Sequence, residues 1–176
     1  NLRRNIEGNP AEKRRQFDIG RISRSSGTGG CVVGDTGNDV LFGGADTDYL
    51  EGGENNDRLD GGAGFDILNG ENGNDTFISS SGVDVSNGGA GDDLLIFYRG
   101  SQVEFFNGGA GGNDVVQMDR PWSGDVPDAI YNWLHVTSGS YTVSGDTITF
   151  SADAAGYIDL GDDVCYFQNL EQIHMT

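Results

Sequence analysis

The chain has 176 residues, 35% of them hydrophobic, and a formal net charge of −18. That length holds one domain, or one domain with appendages, and no stretch approaches the ~18 apolar residues that a membrane-spanning helix needs. So acidic a body is a poor match for the phosphate backbone, and neither a nucleic-acid partner nor a membrane span is expected.

In chain order, the first element is a basic arm. Residues 1–24 hold seven of the ten basic residues (Arg3, Arg4, Lys13, Arg14, Arg15, Arg21 and Arg24) against Glu7, Glu12 and Asp18, a net of +4. That leaves three basic and 25 acidic residues, a net of −22, for residues 25–176. Asn9-Pro10-Ala11-Glu12 offers a cap residue, a proline at the first helical position and a glutamate at the third, which predicts a short helix near 10–17. Ser25 to Gly30 reads as a hinge. The arm, residues 1–30, has no long apolar period and does not fold alone. Polar arms are ordered by contact, so its basic residues are read as partner-binding, toward a protein with an acidic surface in a larger assembly or toward the chain's own acidic flank. The chain begins at Asn and shows no signal peptide, from which removal of an upstream piece is expected.

A period of nine then takes over. Asp39, Asp48, Asp57, Asp66, Asp75, Asp84 and Asp93 stand nine residues apart, each in a glycine-rich stretch. Residues 43–51 read GGADTDYLE, 52–60 GGENNDRLD, 61–69 GGAGFDILN and 88–96 GGAGDDLLI. GDTGNDVLF at 34–42, GENGNDTFI at 70–78 and SSSGVDVSN at 79–87 are partial copies, and GGAGGNDVV at 108–116 carries one extra residue before Asp114. Residues 97–107 fall out of pattern and are expected to continue as strand without an ion site. The last three positions of each copy alternate as a short strand whose middle residue points inward: Leu41, Leu50, Leu59, Leu68, Phe77, Leu95 and Val116. Ser86 takes that place in one copy and predicts a looser coil. Asp46 and Asn55 replace the fourth-place glycine, Asp35 and Glu71 the second. Asp and Asn tolerate left-handed backbone better than other non-glycine residues, so these turns are kept.

Stacked carboxylates repel unless a cation lies between them, and the repeats hold almost no basic side chains. Carboxylate and carbonyl oxygens suit Ca²⁺, which takes about 6–8 of them, better than Mg²⁺ with its small octahedron and tightly held water. No Cys or His lies in the repeats to favour a softer metal. Several Ca²⁺ ions are therefore expected at Asp39, Asp48, Asp57, Asp66, Asp75, Asp84, Asp93 and Asp114, best among the copies from 34 to 78.

These residues resemble the nonapeptide repeat-in-toxin (RTX) family, whose unit is G-G-x-G-x-D-x-U-x with U a large apolar residue. The resemblance implies an all-β chain: a right-handed parallel β-roll over 31–117, two nonapeptides per coil. Ca²⁺ would lie between turns two repeats apart, with Asp39, Asp57, Asp75 and Asp93 on one side and Asp48, Asp66 and Asp84 on the other. It also implies an extracellular setting, with an organelle as the alternative.

Residues 118–176 change character. Strands are predicted at 131–137, on both sides of a Ser144-Gly145-Asp146 turn within 140–150, and at 157–160, 164–167 and 170–175. They are read as a β cap over the open end of the roll, which as an exposed strand edge would invite aggregation. The ending FQNLEQIHM resembles segments that follow or separate repeat blocks in large secreted RTX proteins. Cys31 and Cys165 flank the roll and are read as two buried free thiols. His135 and His174 stand alone, and no nucleophile elbow, metalloprotease helix or phosphate loop is present, so no catalytic residue is assigned. Three functions remain: a calcium-stabilised scaffold or linker docked through its arm, for which a light-harvesting antenna is one setting; the C-terminal module of a type I-secreted toxin, adhesin or enzyme; and, ranked last, a chain that is itself an enzyme.

Overall fold

A computed structural model of the chain describes residues 22–24, 29–78, 80–98, 100–118 and 133–176. The predicted helix at 10–17 and the side chains of Arg3, Arg4, Lys13, Arg14, Arg15, Arg21 and Arg24 lie outside what is described. Every regular element among the described residues is a strand. These are β1 (Ile22–Arg24), β2 (Cys31–Thr36), β3 (Val40–Ala45), β4 (Tyr49–Glu54), β5 (Arg58–Gly64), β6 (Ile67–Asn72), β7 (Thr76–Ile78), β8 (Ser81–Ala90), β9 (Leu94–Phe97), β10 (Gln102–Gly109) and β11 (Val115–Met118). They continue as β12 (Leu134–Ser138), β13 (Tyr141–Ser144), β14 (Thr147–Phe150), β15 (Ala155–Asp159), β16 (Val164–Gln168) and β17 (Gln172–Met175).

Strands two apart in sequence pair in parallel. One sheet stacks β2, β4, β6, β8 and β10, and the other stacks β1, β3, β5, β7, β9 and β11. The register is 18 residues per coil through the repeats, as in Leu41↔Leu59 and Tyr49↔Ile67. This is a parallel β-roll, and the nine-residue period produces it because each copy supplies one turn and one strand. The pleat sends the eighth position of each copy inward. The first sheet contributes Val32, Leu50, Leu68, Ser86 and Phe106, the second Leu41, Leu59, Phe77, Leu95 and Val116, all buried. Strand β8 runs unbroken through Ser86, where a looser coil was expected. The volume Ser86 gives up is met by aromatic rings: Phe106 pairs in register with it, and the Phe106 ring lies 6.0 Å from that of Phe77 on the facing sheet.

The last two strands return to the roll. β16 pairs in parallel with β10, and β17 in parallel with β11, so residues 164–175 lay one more coil on top. Beyond them the pairing reverses: β15 is antiparallel to β16 and β12 to β15, while β14 is antiparallel to β17 and β13 to β14. Trp133, Ile148, Phe150, Ile158, Leu170 and Met175 extend the core at this end.

Both cysteines are free, but only Cys165 is buried; Cys31 is exposed. The expectation of two buried thiols fails for a simple reason. In β2 the alternation turns Val32 inward, which turns its neighbour Cys31 out. Among the described residues no helix is long and apolar enough to cross a membrane.

Candidate calcium ladder

The turns between strands form two stacks. In the first, the amide of Asp39 donates to Asp57 Oδ1 at 2.7 Å, Asp57 to Asp75 Oδ1 at 2.8 Å, Asp75 to Asp93 Oδ1 at 2.8 Å, and Asp93 to Asp114 Oδ1 at 2.8 Å. In the second, Gly30 donates to Asp48 Oδ1 at 2.6 Å, Asp48 to Asp66 Oδ1 at 2.8 Å, and Asp66 to Asp84 Oδ1 at 3.0 Å. The eight sequence-predicted aspartates are thus brought together in two files, all buried, and the extra residue before Asp114 does not remove it from its place. A parallel set of amides braces the first stack. Asn56 and Asn74 N–H groups donate to Asn38 and Asn56 Oδ1, and the Asp92 N–H to Asn74 Oδ1.

Oδ1 of Asp48, Asp57, Asp66, Asp75, Asp84, Asp93 and Asp114 is used in this way; the second oxygen of most of them is aimed elsewhere. Oδ2 of Asp48, Asp57, Asp66, Asp75, Asp93 and Asp114 is buried with no hydrogen-bond partner. A bare carboxylate oxygen out of water is costly unless something positive reaches it. The first-position glycines show where that something would be. A Cβ added to Gly34 would overlap Asp39 Oδ2 and the Gly52 carbonyl oxygen, and one on Gly88 would overlap Asp93 Oδ2 and the Gly108 carbonyl oxygen. The same convergence recurs at Gly43, Gly52, Gly61, Gly70 and Gly108 with the Asp of their own turns. Each such turn therefore aims a carboxylate oxygen into space that only glycine leaves open, and at most of them a carbonyl from the next coil points into the same space. Asp84 has no such glycine, because position 79 is serine. Among the described residues no three His, Cys, Asp or Glu side chains converge, so a cation held here takes most of its ligands from backbone carbonyls. That donor set, all hard oxygen, fits Ca²⁺.

The turns adopt the backbone that this requires. Asp35, Asp46, Asn55 and Glu71 have φ between 75° and 80°, in the left-handed region that glycine occupies in the other copies. Gln102 joins them at φ 74°, which shows that the segment outside the repeat pattern is itself a disguised copy. Residues 99–107 align as a nonapeptide after a two-residue insertion, Phe97-Tyr98. Glu104 pairs in register with Asp84, and Phe106 with Ser86. Glu104 is buried and continues the second file of carboxylates, a residue the expected loss of the site had passed over. The signal was present in sequence as an acid followed two residues later by a large apolar side chain.

A family model, the RTX calcium-binding nonapeptide repeat (4 copies), matches residues 32–59, 51–86 and 60–95. Residues 32–95 are RTX calcium-binding repeats. A search of curated proteins gave no match to the chain. The RTX match ends at residue 95, whereas the turn of Asp114 and the register of the roll continue past it.

Burial sets the proton affinity of the ladder aspartates. It pushes Asp57, Asp75, Asp84 and Asp114 up to about 6 and Asp93 to about 7, from an ordinary 3.8. Backbone hydrogen bonds oppose the rise, and neighbouring carboxylates add to it at Asp57, Asp84, Asp93 and Asp114. Asp66 is raised for the same reasons. An acid whose folded pKa lies above its unfolded value takes up protons on folding. The calcium-free roll therefore carries its full penalty above pH 7, loses it as pH falls through 7 and 6, and is free of it below 3.8. Calcium needs the ionised form, so its affinity runs the opposite way. The expected result is that calcium-driven folding, which starts from the unfolded chain with its carboxylates ionised above an ordinary 3.8, needs roughly tenfold more calcium at about pH 3 than at about pH 8. A midpoint that stays put would mean these carboxylates do not meet the ion.

Apart from the ladder, a groove of about 510 Å³ lies on the outer face of β8, β10, β16 and β15. It is lined by Phe105, Tyr157 and Tyr166 with the amides of Asn87, Asn107 and Gln168, and by no acid, histidine, cysteine or serine. Burial and the charge of Glu104 raise the Cys165 thiol well above its ordinary range, which makes it a poor nucleophile.

Proposed function

We propose that this chain is a non-catalytic structural module whose roll is completed by Ca²⁺. The ions would lie between turns two repeats apart, with Asp39, Asp48, Asp57, Asp66, Asp75 and Asp93 each turning Oδ2 toward one. Asp84 and Asp114 would serve as the outer carboxylates for the Asp66 and Asp93 turns. The observation that carries this reading is the shared aim of a buried carboxylate oxygen and a next-coil carbonyl into the space above a first-position glycine. When bound, Ca²⁺ neutralises the files of carboxylates and ties sequence-distant turns together; the residues around it position oxygens and exclude water, and none performs chemistry.

The finer reading is that the basic arm docks this roll into a larger protein assembly. Charge segregation supports it: a net of +4 on residues 1–24 precedes a body of −22, so the arm is drawn to an acidic surface other than the roll itself once calcium has neutralised the ladder. Deleting residues 1–21, which spares β1 and its pairing with β3, is expected to leave calcium-induced folding intact and to reduce the native mass of complexes isolated from the source to that of the chain alone. If the deletion leaves the native mass unchanged, the arm is not a docking element and the roll is a passive module of a secreted protein.

A further inference from the structure

The first stack does not end at the last repeat. Beyond Asp114 the next rung comes from near the C-terminus: the Asp114 amide donates to Glu171 Oε2 at 2.8 Å, as the Asp93 amide does to Asp114 Oδ1. Strand register agrees, since Val115 pairs with Gln172. Asn169 takes a left-handed φ of 50°, and its carbonyl oxygen lies where the Gly108 carbonyl lies one coil below. A Cβ on Gly108 would overlap both the Asn169 oxygen and Asp114 Oδ2. Asp114 is 1% exposed, and its Oδ2 has no hydrogen-bond partner. The oxygens found at most of the repeat sites are therefore present here, although residues 169–171 read Asn-Leu-Glu and carry no trace of the repeat.

We propose that a further Ca²⁺ site closes the first stack, held by the Asp114 carboxylate, the Asn169 carbonyl and the Glu171 carboxylate. The inference rests on the calcium reading of the ladder and extends it to residues outside any repeat. Its partners are 57 residues apart, against 18 inside the roll. The ion therefore fastens the returning chain to the roll across a long excursion, and β17 docks only when this site fills. A longer loop carries a larger closure entropy, so this site fills last.

The test uses the full chain and its Glu171→Gln variant. Bound calcium is counted by equilibrium dialysis, and amide hydrogen exchange is followed in residues 172–176 and in residues 58–78. Glu171→Gln is expected to bind one ion fewer. Its 172–176 amides should exchange about tenfold faster or more at saturating calcium, with residues 58–78 protected as in the parent. Asn169→Gly keeps the carbonyl and suits φ 50°, so it should retain the ion and the protection. An unchanged ion count in Glu171→Gln with full protection of 172–176 overturns the terminal site alone. Failure of residues 58–78 in the parent chain to gain protection with calcium overturns the ladder reading, and the terminal site with it.

Discussion

Removing calcium with a chelator is expected to abolish most of the β-sheet circular-dichroism signal, and adding it back to restore that signal cooperatively. Each nine-residue copy except that of Ser86 contributes one large inward side chain, such as Leu50 or Leu59, whose burial contributes about 1.5–3 kcal/mol. Set against it is the ordering of nine glycine-rich residues, among the most costly of all to order. The carboxylates add to the deficit, since they stack about one strand spacing (~4.8 Å) apart with an oxygen buried and unpartnered. A site at roughly a hundredfold excess of calcium over its dissociation constant contributes about 2.7 kcal/mol, and the sites act in series on one stack. A signal indifferent to both chelator and calcium would sink the ladder reading.

The second large effect is expected from Gly70→Ala, which leaves every carboxylate in place. Its Cβ would overlap Asp75 Oδ2 and press on the Gly88 carbonyl oxygen at 2.6 Å, both of which the ion needs. The strand geometry itself tolerates alanine there, because Gly70 is not among the positive-φ glycines. The midpoint calcium concentration for folding should rise by about tenfold or more, equivalent to roughly 1.4 kcal/mol. The calcium-saturated roll should also be less stable to denaturant than the parent. If Gly70→Ala titrates like the parent, the space above that glycine does not hold the ion.

The repeat made most of the roll legible before any coordinates. The inward positions, the two files of aspartates and the four non-glycine residues in left-handed turns all follow from one unit of nine applied with strand alternation. Glu104 escaped because the insertion of Phe97 and Tyr98 shifts the frame by two, and period counting has no tolerance for a shift. Glu171 could not be found in this way at all. It acquires its place only when residues 164–175 return to pair with β10 and β11, and local pattern records strands there without saying which neighbours they choose. Cys31 was misread by residue type when its position next to Val32 already turned it outward. The strands of 134–176 were legible one by one, from apolar alternation and the Gly145 turn, while their mixed pairing was not.

The reversal of strand direction at the C-terminal end has a consequence for how these molecules meet one another. A stack of near-identical parallel coils is, at its bare end, a template on which the first coil of another copy could continue in register without limit. Here β16 and β17 cannot serve as that surface, because β15 and β14 occupy their outer sides running the opposite way. Among the described residues the strands left outermost, β12 and β13, are five and four residues long, and short edges pair poorly with strangers. At this end the roll is thereby given a finite length: the protein can be concentrated without growing into a fibre from its C-terminal face.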